Sequence, residues 1–218
     1  MSEIQDLTED TLARLTPDQM IALLRGLDPA DEAVAGLDVD VLGRVVDPAK
    51  LGDQALADLL TEVARLADGG ARLDLGRMAP RTFARLVGRA SQRQVEAVTA
   101  RPELRARVLD EVFRRMETHF RADRAGSTRA VVHFRLTGAP GEDGYDRYEV
   151  VIEDGRCAIT KGHTRQARAT ITLAPAEFLR LATGVASAPV LFMTGKVRVR
   201  GDLGFAAGFL GLFDIPRA

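Results

Sequence analysis

Tryptophan is missing from the 218 residues, tyrosine occurs twice and cysteine once. The single Cys157 excludes an internal disulfide and leaves no thiolate set for zinc, which fits a reducing compartment. Charge of one sign is missing too. The 30 basic and 31 acidic residues give a net charge of −1, so nothing in the overall balance draws the chain to nucleic acid or an anionic membrane. No apolar run reaches the roughly 18 residues of a membrane-spanning helix. The acidic start Ser2-Glu-Ile-Gln-Asp6 has no apolar stretch of the kind a signal peptide needs. These absences predict a cytoplasmic protein that does not insert stably into membranes, with length for one large domain or two small ones.

What is present changes character near residue 125. Before it, Leu, Ala, Arg, Asp and Glu recur at helical spacing, and Phe83 alone of the nine phenylalanines precedes residue 100. Thr16-Pro17 reads as a cap with proline at the first helical position, leading to Gly26. Asp53 is expected to cap a helix with the stripe Leu56, Leu59, Leu60, Val63 and Leu66, stopped by Gly69-Gly70. Pro80 opens another helix, and Ser91 caps one carrying Val95 and Val98. Leu12-Ala-Arg-Leu15, Leu42-Gly-Arg-Val45 and Phe83-Ala-Arg-Leu86 are each followed by Gln19, Gln54 or Gln94. Their unequal spacing makes this a decayed duplication at most, and chance likeness among Leu/Ala/Arg-rich helices explains it equally well.

From Pro102 to about Arg121 runs the longest predicted helix. Its apolar stripe is Leu104, Val108, Leu109, Val112, Phe113, Met116 and Phe120, and Arg105, Arg107, Glu111, Arg114, Glu117 and Arg121 ring the rest. From Arg129 the period becomes two. Val132, Phe134 and Leu136 share one strand face, and Tyr148, Val150 and Ile152 share another. Asp154-Gly155 is a two-residue hairpin signal before a strand with Cys157 and Ile159, and Ala169, Ile171 and Leu173 mark a fourth. Such a sheet is apolar on one face, so helices should cover that face only.

The end of the chain reads as a Pro175 helix stopped by Gly184, a short apolar helix over Val190–Met193, a Thr194-Gly195 turn, a fifth strand and a last helix capped by Asp202. At about 100° per residue, Gly204, Ala207, Gly208 and Gly211 fall on one arc of that helix, and Phe205, Phe209, Leu210, Leu212 and Phe213 fill the other. Each glycine inside a helix costs about 1 kcal/mol relative to alanine, which predicts a close backbone approach on the small-residue arc, either by a sheet or neighbouring helix or by an apolar ligand. Lys196, Arg198 and Arg200 are read on one face of the fifth strand, as a solvated row that discourages edge pairing. The sharper reading, contact with an acyl-CoA phosphate or an anionic bilayer, is the weaker of the two.

In order and spacing, Val112-Phe-Arg-Arg-Met116, Tyr148-Glu-Val-Val-Ile-Glu-Asp-Gly155, Ala169-Thr-Ile-Thr-Leu173, Phe178-Leu-Arg-Leu-Ala-Thr-Gly184 and Met193-Thr-Gly-Lys-Val-Arg-Val-Arg-Gly-Asp202 resemble the sterol carrier protein 2 family. Ala174 departs from the serine or threonine expected before the Pro175 helix. The resemblance covers about half the chain. It implies an α+β fold, a five-stranded mostly antiparallel sheet covered by helices on one face and preceded by an all-helical region. The division is expected as residues 1–101, helical and of unknown role, and 102–218, a lipid-binding domain. It further implies an apolar tunnel for a sterol-like molecule, a fatty acid or a fatty acyl thioester. Phe134, Leu136, Phe178, Leu181, Leu191, Phe192, Met193, Phe205, Phe209 and Phe213 sit on the predicted inward faces and are the candidate lining. Each of them read singly is ordinary core.

Catalysis draws little support from the residues, and an enzyme is the distant third reading. His119, His133 and His163 have no carboxylate or cysteine at motif spacing, and Cys157 reads as a small buried hydrophobe. No cofactor and no metal is expected. The expected partner is a hydrophobic small molecule, with no nucleic acid and at most transient membrane contact. The alternative is a non-catalytic interaction or oligomerisation module with a self-filled core, forming a homodimer or docking a lipid-metabolising enzyme.

Overall fold

The computed structural model describes residues 7–214, so the expectation for residues 2–6 lies outside the described residues. Contacts divide the chain into two compact units, one ending at Val108 and the other beginning at Leu109.

In the first unit, α1 (Glu9–Ala13), α2 (Pro17–Gly26), α3 (Glu32–Ala35), α4 (Val39–Val45), α5 (Ala55–Asp68), α6 (Pro80–Arg89) and α7 (Gln92–Thr99) follow one another. Helix α2 packs on α5, α5 on α7, and α4 on both α1 and α6. Leu12, Leu24 and Leu66 are fully buried among them. Thr16 with Gln19, and Ser91 with Gln94, form capping boxes, so two of the three glutamines of the faint repeat do the same work. The third does not. Gln54 directly precedes α5 and makes no cap, and Asp53 does not cap the helix as expected. A turn closed by Ala55 N–H on the Gly52 carbonyl delays the helix and leaves Asp53 one residue too early. Helix C-termini leave carbonyls unpaired, and here two arginines satisfy them. Arg65 donates to the carbonyls of Leu24 and Leu27, at 2.7 and 3.1 Å, and Arg85 to those of Gly43 and Val46.

Helix α8 (Pro102–Thr118) contains the division between the units. Two charged residues assigned by periodicity to the ring outside its apolar stripe, Arg105 and Glu111, are buried, and so is Arg115. Glu111 accepts hydrogen bonds from Arg114 and Arg115, so its charge is buried paired rather than alone.

After α9 (Ala122–Ala125) the second unit builds β1 (Ala130–Thr137), β2 (Tyr145–Glu153), β3 (Arg156–Lys161), β4 (Ala169–Leu173) and β5 (Val197–Gly201) in the order β3-β2-β1-β4-β5. Only the central β1–β4 pair is parallel. Asp154 and Gly155 both take positive φ, 51° and 70°, as a two-residue turn between β2 and β3 requires. The inner face carries the fully buried Val132, Phe134, Leu136 and Val150. Phe113 of α8 stacks on Tyr148 at 3.9 Å and on Phe178 at 4.6 Å. Asp110 of the same helix accepts from the Tyr148 hydroxyl and from Lys161, both at 2.7 Å. Helices α10 (Pro175–Ala182), α11 (Ala188–Met193) and α12 (Leu203–Phe209) complete the layer, touching β1, β5, and both β4 and β5 respectively. A 3-10 turn over Leu210–Leu212 ends what the sequence predicts as one longer helix, in keeping with its glycine content.

The order of strands forces residues 162–168 to travel from one edge of the sheet over β2 and β1 to reach β4. They cross on the outer, polar face, and one side chain holds them there. Glu149, 2% exposed, accepts from the Thr164 N–H (2.8 Å) and hydroxyl (2.7 Å), the Arg165 N–H (2.8 Å) and His133 Nε2 (3.1 Å). Burial alone would raise its carboxyl, but the hydrogen bonds from Arg165, Thr164 and His133 outweigh that and hold it down at about 2.

Because the folded pKa lies below the unfolded one, this carboxylate contributes stability fully above about 4.5 and loses it as pH falls toward about 2. Glu149→Gln should therefore lower unfolding stability by about 3 kcal/mol at neutral pH. Urea unfolding followed from pH 6 to pH 3 checks it: the deficit of the variant should shrink toward the acid end.

Candidate functional site

Inner-face packing is uneven. Toward α8 and α10 it is closed by aromatic side chains, with Phe113, Phe134, Tyr148 and Phe178 in mutual contact. Toward α11 and α12 the side chains are smaller and leave a cavity of about 280 Å³. Phe134, Ile171, Val197 and Val199 form its floor on β1, β4 and β5. Leu181 of α10, Ala188, Pro189 and Phe192 of α11, Leu203, Ala206 and Ala207 of α12, and Leu210 just beyond form its walls. Every lining residue is apolar, so the cavity offers dispersion and burial but no side-chain hydrogen bond. Its size is close to the lower end of small-molecule pockets.

Short turns at the ends of β5 fix the two wall helices. Gly195 at φ 70° turns the chain out of α11 ahead of the strand, and Lys196 pairs with the buried Glu177 at 2.6 Å. Lys196 thereby leaves the basic row expected on β5, since its ammonium is drawn to α10. Asp202 caps α12 by accepting from the Phe205 N–H at 2.8 Å and is paired with Arg168. The Phe205 hydrogen bond, and after it the Arg168 guanidinium, hold the Asp202 carboxyl below the usual range. Gly201 has φ 89°, and a Cβ there would collide with the Arg168 carbonyl, so only glycine serves as the pivot into α12.

Of the ten residues proposed as lining, the structure brings Phe134, Leu181 and Phe192 to the cavity wall. Leu136, Phe178, Leu191 and Phe209 are buried in the packed layer beside it. Phe213 packs on Phe120 and Phe209, with ring centroids at 5.8 and 5.1 Å. Phe205 is half-buried, with the Arg168 guanidinium 4.2 Å from its ring. Met193 is 84% exposed. Sequence reasoning passed over Ile171, Val197, Val199, Ala188, Pro189, Leu203, Ala206, Ala207 and Leu210 as lining. The three strand residues carry a period-two signal that was available; the small helical ones carry none.

Of the two approaches expected on the small-residue arc of α12 and the turn after it, the one by a sheet or neighbouring helix is not found at Gly208 or Gly211 among the described residues. Gly204, Gly208 and Gly211 are exposed, and nothing lies within 4 Å of a Cβ built on Gly208 or Gly211. Only Ala207 of that arc reaches the cavity. Phe192 and Leu203 of the lining are also exposed, as are Val190 and Met193 of α11. Elsewhere on the inner face, burial, and after it the charge of Glu117, push the Cys157 thiol up to about 12, far from a nucleophilic thiolate.

Truncation should separate core from wall. Phe209→Ala should cost about 3–5 kcal/mol, the range for a buried aromatic. Phe192→Ala should cost no more than about 1 kcal/mol, because its ring is already 47% exposed. Denaturant unfolding of both variants reads the difference.

The sequence profile of the SCP-2 sterol transfer family matches residues 109–214. Among solved structures, sterol carrier protein 2 from Yarrowia lipolytica in its apo form is 28% identical over 42% of this chain and 69% of that one, with a TM-score of 0.35. Sterol carrier protein 2 like 2 from Aedes aegypti is 15% identical over 48% of this chain and 95% of that one, at a TM-score of 0.37. The stereoselective inverting sec-alkylsulfatase from Pseudomonas sp. is 14% identical, at a TM-score of 0.42. It aligns with 90% of this chain, which spans only 30% of the sulfatase. No curated protein matches the chain.

Proposed function

We propose, with residues 109–214 forming a domain of the SCP-2 sterol transfer family as the premise, that this chain binds the hydrocarbon part of a lipid in the cavity between sheet, α11 and α12. The single observation that carries the reading is a cavity walled wholly by apolar side chains. A polar head group would find no partner inside and stays at the mouth, beside Phe192 and Leu203. A fatty acid, a fatty acyl thioester or a sterol-like molecule meets that requirement. The protein acts as carrier or sensor, not as an enzyme. In support, the Cys157 thiol is disfavoured as a thiolate, and the Glu149 carboxylate is committed to the crossing loop.

Native mass spectrometry of the purified full chain should show co-purified lipid mass, and a fluorescent fatty acid should bind and be displaced by unlabelled lipid. Ala206→Phe, which fills the cavity from α12, should weaken that binding at least about tenfold while the far-ultraviolet spectrum stays unchanged. An empty chain that binds no fatty acid or sterol, above all one that is dimeric, would overturn the proposal and favour the interaction module.

A further inference from the structure

The outer face of the sheet holds a cluster that the cavity does not use. Register sets Arg135 of β1 directly opposite Arg147 of β2, and the same row continues through Thr172 of β4 to Arg198 of β5. Arg200 lies in the next row, beyond Thr170. Like charges facing each other across strands are destabilising unless something neutralises them. The one carboxylate in these two rows, Glu149, is saturated by the crossing loop and His133.

The arginines are poorly matched from within the chain. Arg147 donates to Asp143 at 3.0 Å, but that carboxylate is 73% exposed on the loop between β1 and β2. Among the described residues Arg135 makes no ion pair; its guanidinium stands 6.0 Å from the centre of the Tyr145 ring. The Nε atoms of both arginines are buried without a hydrogen-bond partner. Beside them His163 stacks on His133 at 3.7 Å and bonds the Phe134 carbonyl at 3.2 Å. Burial first, and then the positive field of His133, Arg135 and Arg147, lower the His163 pKa.

We propose that Arg135 and Arg147 bind an oxyanion, the phosphate or carboxylate group of a small soluble ligand, on the outer face of the sheet beside His163. Guanidinium groups present forked donors that match such oxygens, and two of them side by side define a site rather than a diffuse charge. Asp143 is then the internal stand-in that the ligand displaces. The site lies on the opposite face from the cavity and does not depend on the lipid-binding reading.

The chain has three histidines, so their ring signals can be followed one by one by NMR in the full-length protein. Inorganic phosphate or acetate, titrated against sodium chloride of equal ionic strength, should shift the His163 signals saturably. The bound anion should raise the midpoint of its pH titration by about half a unit or more. His119, hydrogen-bonded to the Arg115 carbonyl at the end of α8, should not move. Arg135→Met and Arg147→Met should each abolish the effect, with backbone amide spectra reporting that the sheet is intact; should one fail to fold, the other decides. A stronger response to phosphate than to acetate assigns a phosphorylated ligand, and the reverse a carboxylic acid. No response beyond that to chloride, or a response that survives in a folded variant, overturns the proposal.

Discussion

The second unit depends on one carboxylate. Its strand order requires a seven-residue connection to pass over two strands on the solvent side, where no apolar layer can hold it. Glu149 supplies the fixation instead, with a single side chain accepting two backbone N–H groups, a hydroxyl and an imidazole. The connection determines where β4 begins, and β4 in turn positions β5 and the two wall helices. A polar contact on the outer face thus sets the geometry of an apolar cavity on the inner one.

The inner face divides its work along its length. Aromatic stacking and the Asp110 contacts lock the sheet to α8, which makes that end rigid and full. The other end is closed by alanines, a proline, aliphatic side chains and Phe192 on helices of six and seven residues, held by a cap, a glycine pivot and the ion pair of Lys196 with the buried Glu177. A close-packed protein interior has few voids larger than a water molecule, so a cavity that persists beside such a tightly filled region is a local property of these two helices.

Much of this was legible in the residues. Period-two alternation gave the inward faces of β1, β2 and β4, Asp154-Gly155 gave the hairpin, and Asp202 gave the last cap. The crossing loop was not legible, since its anchor joins Glu149 to Thr164 and Arg165 through tertiary geometry rather than a spacing motif. The His133–Glu149 pair escaped for the same reason: sixteen residues separate them, and only the strand register makes them neighbours. Buried charges on α8 defeated the periodicity argument because Glu111 and Arg115 neutralise each other on the same helix. The cavity wall was read as large side chains, whereas empty space is made by small ones. Phe178 and Phe209 fill their surroundings, while Ala206 and Ala207 leave room.

The solvent-facing glycines of α12 carry a consequence for how ligand would get in. Glycine gives up more backbone freedom on folding than any other residue, and at Gly208 nothing lies within 4 Å of where a Cβ would stand, so packing does not require the glycine there. Helix α12 carries that cost at Gly204 and Gly208, so its amides should exchange with solvent through local opening before those of β1 or β2 do. Entry then requires no rearrangement of the sheet.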